Sequence, residues 1–198
     1  MNHLAHAYLS FNDPDLTIGN LIADFVKGKK QLELQRPEVQ KGIHLHRAID
    51  TYTDQHPMTA AAKQFFKPAV GLYSGVFTDL AFDHFLATDP NYFTDESLYS
   101  FTRNIYTLVE KRRAELPATF LEMFKYMYEF DWLYNYRTTD GIGRAIRGVS
   151  RRAKYLETSP DIVLATFIEH YDGLKKCYQA FFPELVAYVK SIYPNEQP

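Results

Sequence analysis

"TDESLYSFTRNIYTLVEKRRAEL", residues 94–116, decides the fold class. It opens on Thr94, two acids and Ser97. That is the chemistry of a helix start, where a hydroxyl caps free amides and negative charge meets the helix dipole. Apolar side chains follow at 98, 101, 105 and 108, the three-and-four spacing that lines one face of a helix. The same spacing recurs on both sides. Downstream, residues 117–136 predict a helix, 141–155 a short basic one, and 160–192 one long helix or two, with Pro183 as the expected break. Upstream, "YSGVFTDLAFDHFLATDP" predicts a helix that ends before Pro90, and a helix over 58–66 precedes it. Pro37 suits the first position of a helix running through residue 54 to Pro57. "TIGNLIADFVKG" predicts a short helix ended by Gly28, after a break at "NDPDLT" and a short apolar stretch over 3–10. Strict strand-like alternation is hard to find. The expectation is all-α: a single-domain multi-helix bundle over 1–198, of roughly seven to nine helices with short connections.

Composition agrees. A chain of 198 residues, 46% hydrophobic and 16% aromatic, can bury a proper core and is not disordered. A formal net charge of -2 gives no reason to expect a nucleic-acid binder. The single cysteine, Cys177, excludes an internal disulfide and a zinc site built from several thiolates; its amphipathic surroundings read as packing. No signal-like opening and no apolar run of about 18 residues is present, so the expectation is a cytoplasmic protein without membrane association.

Chemistry concentrates in a few places. In "GIHLHRAIDTYTD", residues 42–54, His46, Asp50 and Asp54 lie four apart and share a helix face, with His44 to the side. In "TDLAFDHFLA", Asp79 and Asp83 are four apart and His84 adjoins them. Asp24 stands inside the apolar "LIADFV", and His3 and His6 are three apart in "NHLAHAYL". A carboxylate on an apolar face is costly unless paired or metal-bound. Mixed His and Asp donors suit Mn²⁺, Fe²⁺ or Zn²⁺ with open positions for water and phosphate. Each residue alone has a plainer reading. Asp50 and Asp54 suit a solvated face, Asp79 a helix start, His84 a satisfied core and His3 a frayed end. His56 suits a loop, and His170 suits a surface or polar core position. The joint pattern favours a metal and phosphate site. A second feature is "GIGRAIRGVSRRAKY", residues 141–155, with Arg144, Arg147 and Arg151 on one helical face, extended by Arg152 and Lys154. It is either a solvated basic face or a docking patch for an acidic partner or a phosphate.

In order along the chain, "MNHLAHAYLS", "GNLIADFVKG", "GIHLHRAIDTYTDQHP", "DLAFDHFLA" and "GIGRAIRGVSRR" resemble the acyl carrier protein phosphodiesterases. The resemblance covers nearly the whole chain. It implies an all-helical fold, HD-domain-like, and a metal-dependent hydrolase using Mn²⁺, with Mg²⁺, Fe²⁺ or another divalent ion as alternatives. It implies cleavage of the phosphodiester between 4′-phosphopantetheine and a serine of holo-acyl carrier protein, giving the apo-protein. Residue by residue, the early aspartate of the family falls on Asp24. Its "HxHRxID" element falls on His44, His46, Arg47 and Asp50, and its "DxxxDHFL" element on Asp79, Asp83 and His84. The implied ligands are His6, Asp24, His46, Asp50, Asp79, Asp83 and His84, with Asp24, Asp50 and His84 catalytic. Arg47, Arg144, Arg147 and Arg151 are the implied substrate contacts. One departure stands out: the wider HD superfamily has an adjacent His-Asp pair, whereas this chain has Asp83-His84. Two other readings fit the residues: an HD-like phosphohydrolase acting on a nucleotide or other small phosphodiester, and a non-catalytic helical protein that binds acyl carrier proteins.

Overall fold

A computed structural model describes residues 1–193, and residues 194–198 of the expected domain lie outside the described ones. The described residues contain no strand and form one all-α domain. Its helices are α1 (His3–Tyr8), α2 (Pro14–Ile22), α3 (Gly28–Glu33), α4 (Pro37–Gln55), α5 (Pro57–Val70) and α6 (Ser74–Thr88). They continue as α7 (Asp95–Lys111), α8 (Ala118–Glu129), α9 (Trp132–Asn135), α10 (Thr139–Arg152), α11 (Pro160–Glu169) and α12 (Tyr171–Ile192).

The starts are written in the sequence. Thr94 and Ser97 satisfy each other's backbone amides at the head of α7. Pro37 occupies the first turn of α4. Several boundaries differ from the sequence expectation. "NDPDLT" is a helix start, because Asp13 accepts from Leu16 N at 2.8 Å and Pro14 fits the first turn of α2. That helix gives way at Ile22 to a 3-10 turn over Ala23–Phe25, while Gly28, at a φ of 75°, opens α3. The helix expected over 117–136 is divided at Asp131, which adopts a left-handed φ of 48° and pairs with Arg103. Pro183 lies within α12, and the chain breaks instead at His170. The described helices therefore number twelve, more than the seven to nine expected.

One apolar core runs through the molecule. Around α5, α6 and α12 it is aromatic: Phe82 stacks on Phe181 at 5.3 Å and Tyr178 on Phe182 at 5.2 Å. Each such ring removed from water contributes about 1.5–3 kcal/mol. Cys177 is buried in this packing, as its setting suggested.

The most extensive helix pairing joins α2 to α4. Gly19 and Gly42 face each other there. A Cβ on Gly42 would meet Gly19 Cα at 2.8 Å, and one on Gly19 would overlap the Val39 carbonyl. Two missing side chains let the backbones touch, which sets Asn20 of α2 beside His46 of α4.

Candidate metal centre

The centre is assembled by α1, α2, the 3-10 turn after it, and α4. Helix α1 is only 6 residues long and no side chain of its own caps it. Asp83 of α6 does so from across the fold, accepting from Leu4 N at 2.8 Å and Ala5 N at 3.2 Å. This pins α1 so that His6 faces α4.

Asn20 sits between two imidazoles. Its Nδ2 donates to the His6 carbonyl at 2.8 Å and to Ser10 Oγ at 3.1 Å, so its Oδ1 is the atom that meets His6 Nδ1, at 2.7 Å. The Asn20 backbone carbonyl accepts from His46 Nδ1 at 2.8 Å. Carbonyl oxygens only accept, so both Nδ1 atoms carry their protons. The rings stack, with centroids 4.0 Å apart and planes 14° apart. Both Nε2 atoms are buried and neither makes a hydrogen bond. Yet Asp50 places one carboxylate oxygen 3.2 Å from His6 Nε2 and the other 3.1 Å from His46 Nε2. The three donor atoms lie within 4.8 Å of one another. Two imidazole nitrogens and a carboxylate converge with their lone pairs, but not along hydrogen-bond directions. A cation among them resolves that arrangement, and Nδ1 bonds to carbonyls are the usual outer support of metal-bound histidines.

Without a metal the two imidazoles differ in their affinity for protons. Burial, reinforced by His46, lowers His6 to about 4. Burial also works against a charged His46, but Asp24 and Asp50 raise it to about 9. Asp50 resists the burial that would raise it; His46, His6 and the Met1 ammonium hold its carboxyl well below the usual range. Without a metal, then, His46 rather than His6 is the imidazole that more readily takes a second proton. Asp24 lies on the 3-10 turn, exposed, with Oδ1 3.5 Å from His46 Nε2, and the neighbouring His46 lowers its pKa. The Met1 ammonium bridges Asp50 at 3.5 Å and Asp79 at 3.3 Å, so Asp79 stands at the edge of the cluster. Burial raises both Asp79 and Asp83, the latter to about 7.

Other expected site residues are elsewhere. The structure does not bring His84 to the cluster: its Nδ1 meets the Tyr136 carbonyl at 2.7 Å and its Nε2 the Tyr171 hydroxyl at 3.0 Å. Adjacent residues on a helix diverge by about 100°, so Asp83 and His84 serve different neighbours. Asp83 is occupied as the cap of α1. Asp54 pairs with Lys63 at 2.8 Å, and His44 and Arg47 are exposed. His3 is not frayed; its ring lies 6.5 Å from that of Trp132. His56 lies between α4 and α5, 3.2 Å from Glu184. On α10, Arg144 pairs with Asp140, Arg147 reaches Asp161 at 3.4 Å, and Arg151 is exposed. Asn20 was not expected at the site. An amide offers no ligand chemistry to search for, and its one trace was a polar residue inside "TIGNLIADF".

The model of one family, "Acyl carrier protein phosphodiesterase", matches residues 1–185. A protein of Enterobacter sp. (strain 638), named acyl carrier protein phosphodiesterase, is 31% identical over 96% of this chain and 98% of its own length. A protein of the same name from Escherichia coli O139:H28 (strain E24377A / ETEC) is 30% identical over 94% of this chain and 96% of its own. No solved structure matches the chain.

Proposed function

Because the chain belongs to the acyl carrier protein phosphodiesterase family, we propose that it uses a divalent metal ion to hydrolyse the phosphodiester joining 4′-phosphopantetheine to a serine of holo-acyl carrier protein. The products are apo-acyl carrier protein and free 4′-phosphopantetheine. The observation that carries the metal dependence is the pair of buried, unbonded Nε2 atoms facing Asp50. His6, His46 and Asp50 hold the ion, with Asp24 beside them and Asp79 at the rim. Two imidazoles and carboxylates suit Mn²⁺, Fe²⁺ or Zn²⁺, and Mg²⁺ less closely. The bound ion supplies Lewis acidity toward a phosphoryl oxygen and lowers the pKa of water.

The remaining steps fall to the chain's own residues. Water attacks phosphorus in line as the bond from phosphorus to the serine oxygen breaks. Asp24, exposed at the mouth and outside the Asn20 network, takes the proton from the attacking water and returns it to the serine oxygen as that oxygen leaves. Asp83 acts as a positioning residue through α1. Arg47 is exposed on α4, next to His46 in sequence, where it can meet the phosphate. The exposed arginines of α10 meet the acidic surface of the carrier protein, and this speeds encounter more than it tightens binding. With that substrate the enzyme works in the cytoplasm. Among the described residues no helix is long and apolar enough to cross a membrane.

The test is the mass of holo-acyl carrier protein after incubation with the enzyme. Loss of the prosthetic group is expected with Mn²⁺, and none with chelator or with Asp24→Ala. No loss from metal-loaded wild type would overturn this reading and turn attention to small phosphodiesters.

A further inference from the structure

A cavity of about 130 Å³ opens between α1, α6, α9 and α10. Its wall is apolar, built from Val76, Leu80, Trp132 and Val149. Asn2 and Tyr136 interrupt that wall with polar groups, joined by a bond of 3.0 Å from Asn2 Nδ2 to the Tyr136 hydroxyl. Arg144 and Arg152, both exposed, stand at the rim. His3 also lines it.

The position matters as much as the lining. His3 lies one turn before His6 on α1. It is within electrostatic reach of His6, Asp24 and His46 and also of Arg152. His3 thus lines the cavity and neighbours the metal cluster.

We propose that this cavity receives the pantetheine arm of the holo-carrier protein while its phosphodiester lies at the metal cluster. The inference rests on the function proposed above. The arm is uncharged and carries methyl groups, a hydroxyl and two amides. It suits apolar walls interrupted by a few hydrogen-bonding groups, with positive charge kept at the entrance where the acidic carrier surface meets the enzyme. Gly148 forms part of the wall, and a Cβ there would meet nothing within 4 Å. The space beside it is open to a ligand rather than filled by the fold.

Gly148→Leu fills that space without a clash at the backbone, and replacing a glycine inside a helix favours the helix. Its melting temperature and Mn²⁺ affinity, by calorimetry, are expected to match or exceed those of wild type. Its KM for holo-acyl carrier protein and its inhibition constant for free 4′-phosphopantetheine should each rise by about tenfold or more. Inhibition by apo-acyl carrier protein, which lacks the arm, should stay as in wild type. A folded, metal-binding variant that keeps wild-type values for holo-protein and for 4′-phosphopantetheine would overturn the cavity assignment and leave the reaction standing. Failure of wild type itself to release 4′-phosphopantetheine would remove both.

Discussion

Asn20 is the residue on which the centre turns. One side chain and one carbonyl orient two imidazoles and fix both tautomers. In Asn20→Ala the His6 Nδ1 loses its partner and the amide that ties α2 to α1 is gone. Mn²⁺ affinity should fall about 10–100-fold, read by isothermal titration, while the unfolding transition stays cooperative. An unchanged affinity would mean that the imidazoles are held by packing alone. His46 and Asp50 were legible in the sequence because both sit on one helix, where four-residue spacing has a fixed geometric meaning. His6 and Asp24 come from other elements, and spacing cannot say which way they turn. His84 shows the limit: it adjoins Asp83 in sequence, and its two nitrogens are spent on Tyr136 and Tyr171.

Among the elements, α1 is the one held from outside. Asp83 caps it, and burial raises that carboxyl from an ordinary 3.8 to about 7. Between those values the folded chain binds the proton more tightly than the unfolded one. Asp83 therefore favours folding below about pH 4, and that contribution fades as pH rises through 7. For metal-free protein, wild-type stability relative to Asp83→Asn should decline by about 1 kcal/mol per pH unit between pH 5 and 7. Urea unfolding at several pH values measures this, and a flat or rising difference would remove the argument. Helix starts were legible, since Pro14, Pro37 and Thr94 state their own geometry. Helix ends were less so. Pro183 passes inside α12 because Phe181, Phe182 and Leu185, all buried, hold both sides of it in the core. Asp131 breaks a helix through a left-handed conformation that nothing nearby in sequence demands. The contact of Gly19 with Gly42, which brings Asn20 to His46, needed the tertiary structure to be seen.

Across the whole molecule, a near-neutral chain carries a run of exposed arginines on α10. Arg147 and Arg151 lie on it away from the cavity, whereas Arg144 shares the row of Gly148 and Arg152 that faces it. Encounter with an acidic protein should weaken with salt. Between about 50 and 500 mM NaCl, kcat/KM for holo-acyl carrier protein should fall about tenfold in wild type and clearly less in Arg147→Ala/Arg151→Ala. Equal slopes would mean that this face does not meet the substrate.

The donors of the centre all lie between His6 and Asp50, whereas Trp132, the cavity row and the basic face lie between 132 and 152. Chemistry and the outer half of recognition thus occupy separate stretches of one gene, although Asn2, His3, Val76 and Leu80 close the cavity from the helices that build and support the centre. Over generations the second can follow a changing partner, one substitution at a time, while the first is left untouched. A lineage could in this way acquire a new target without passing through an inactive ancestor.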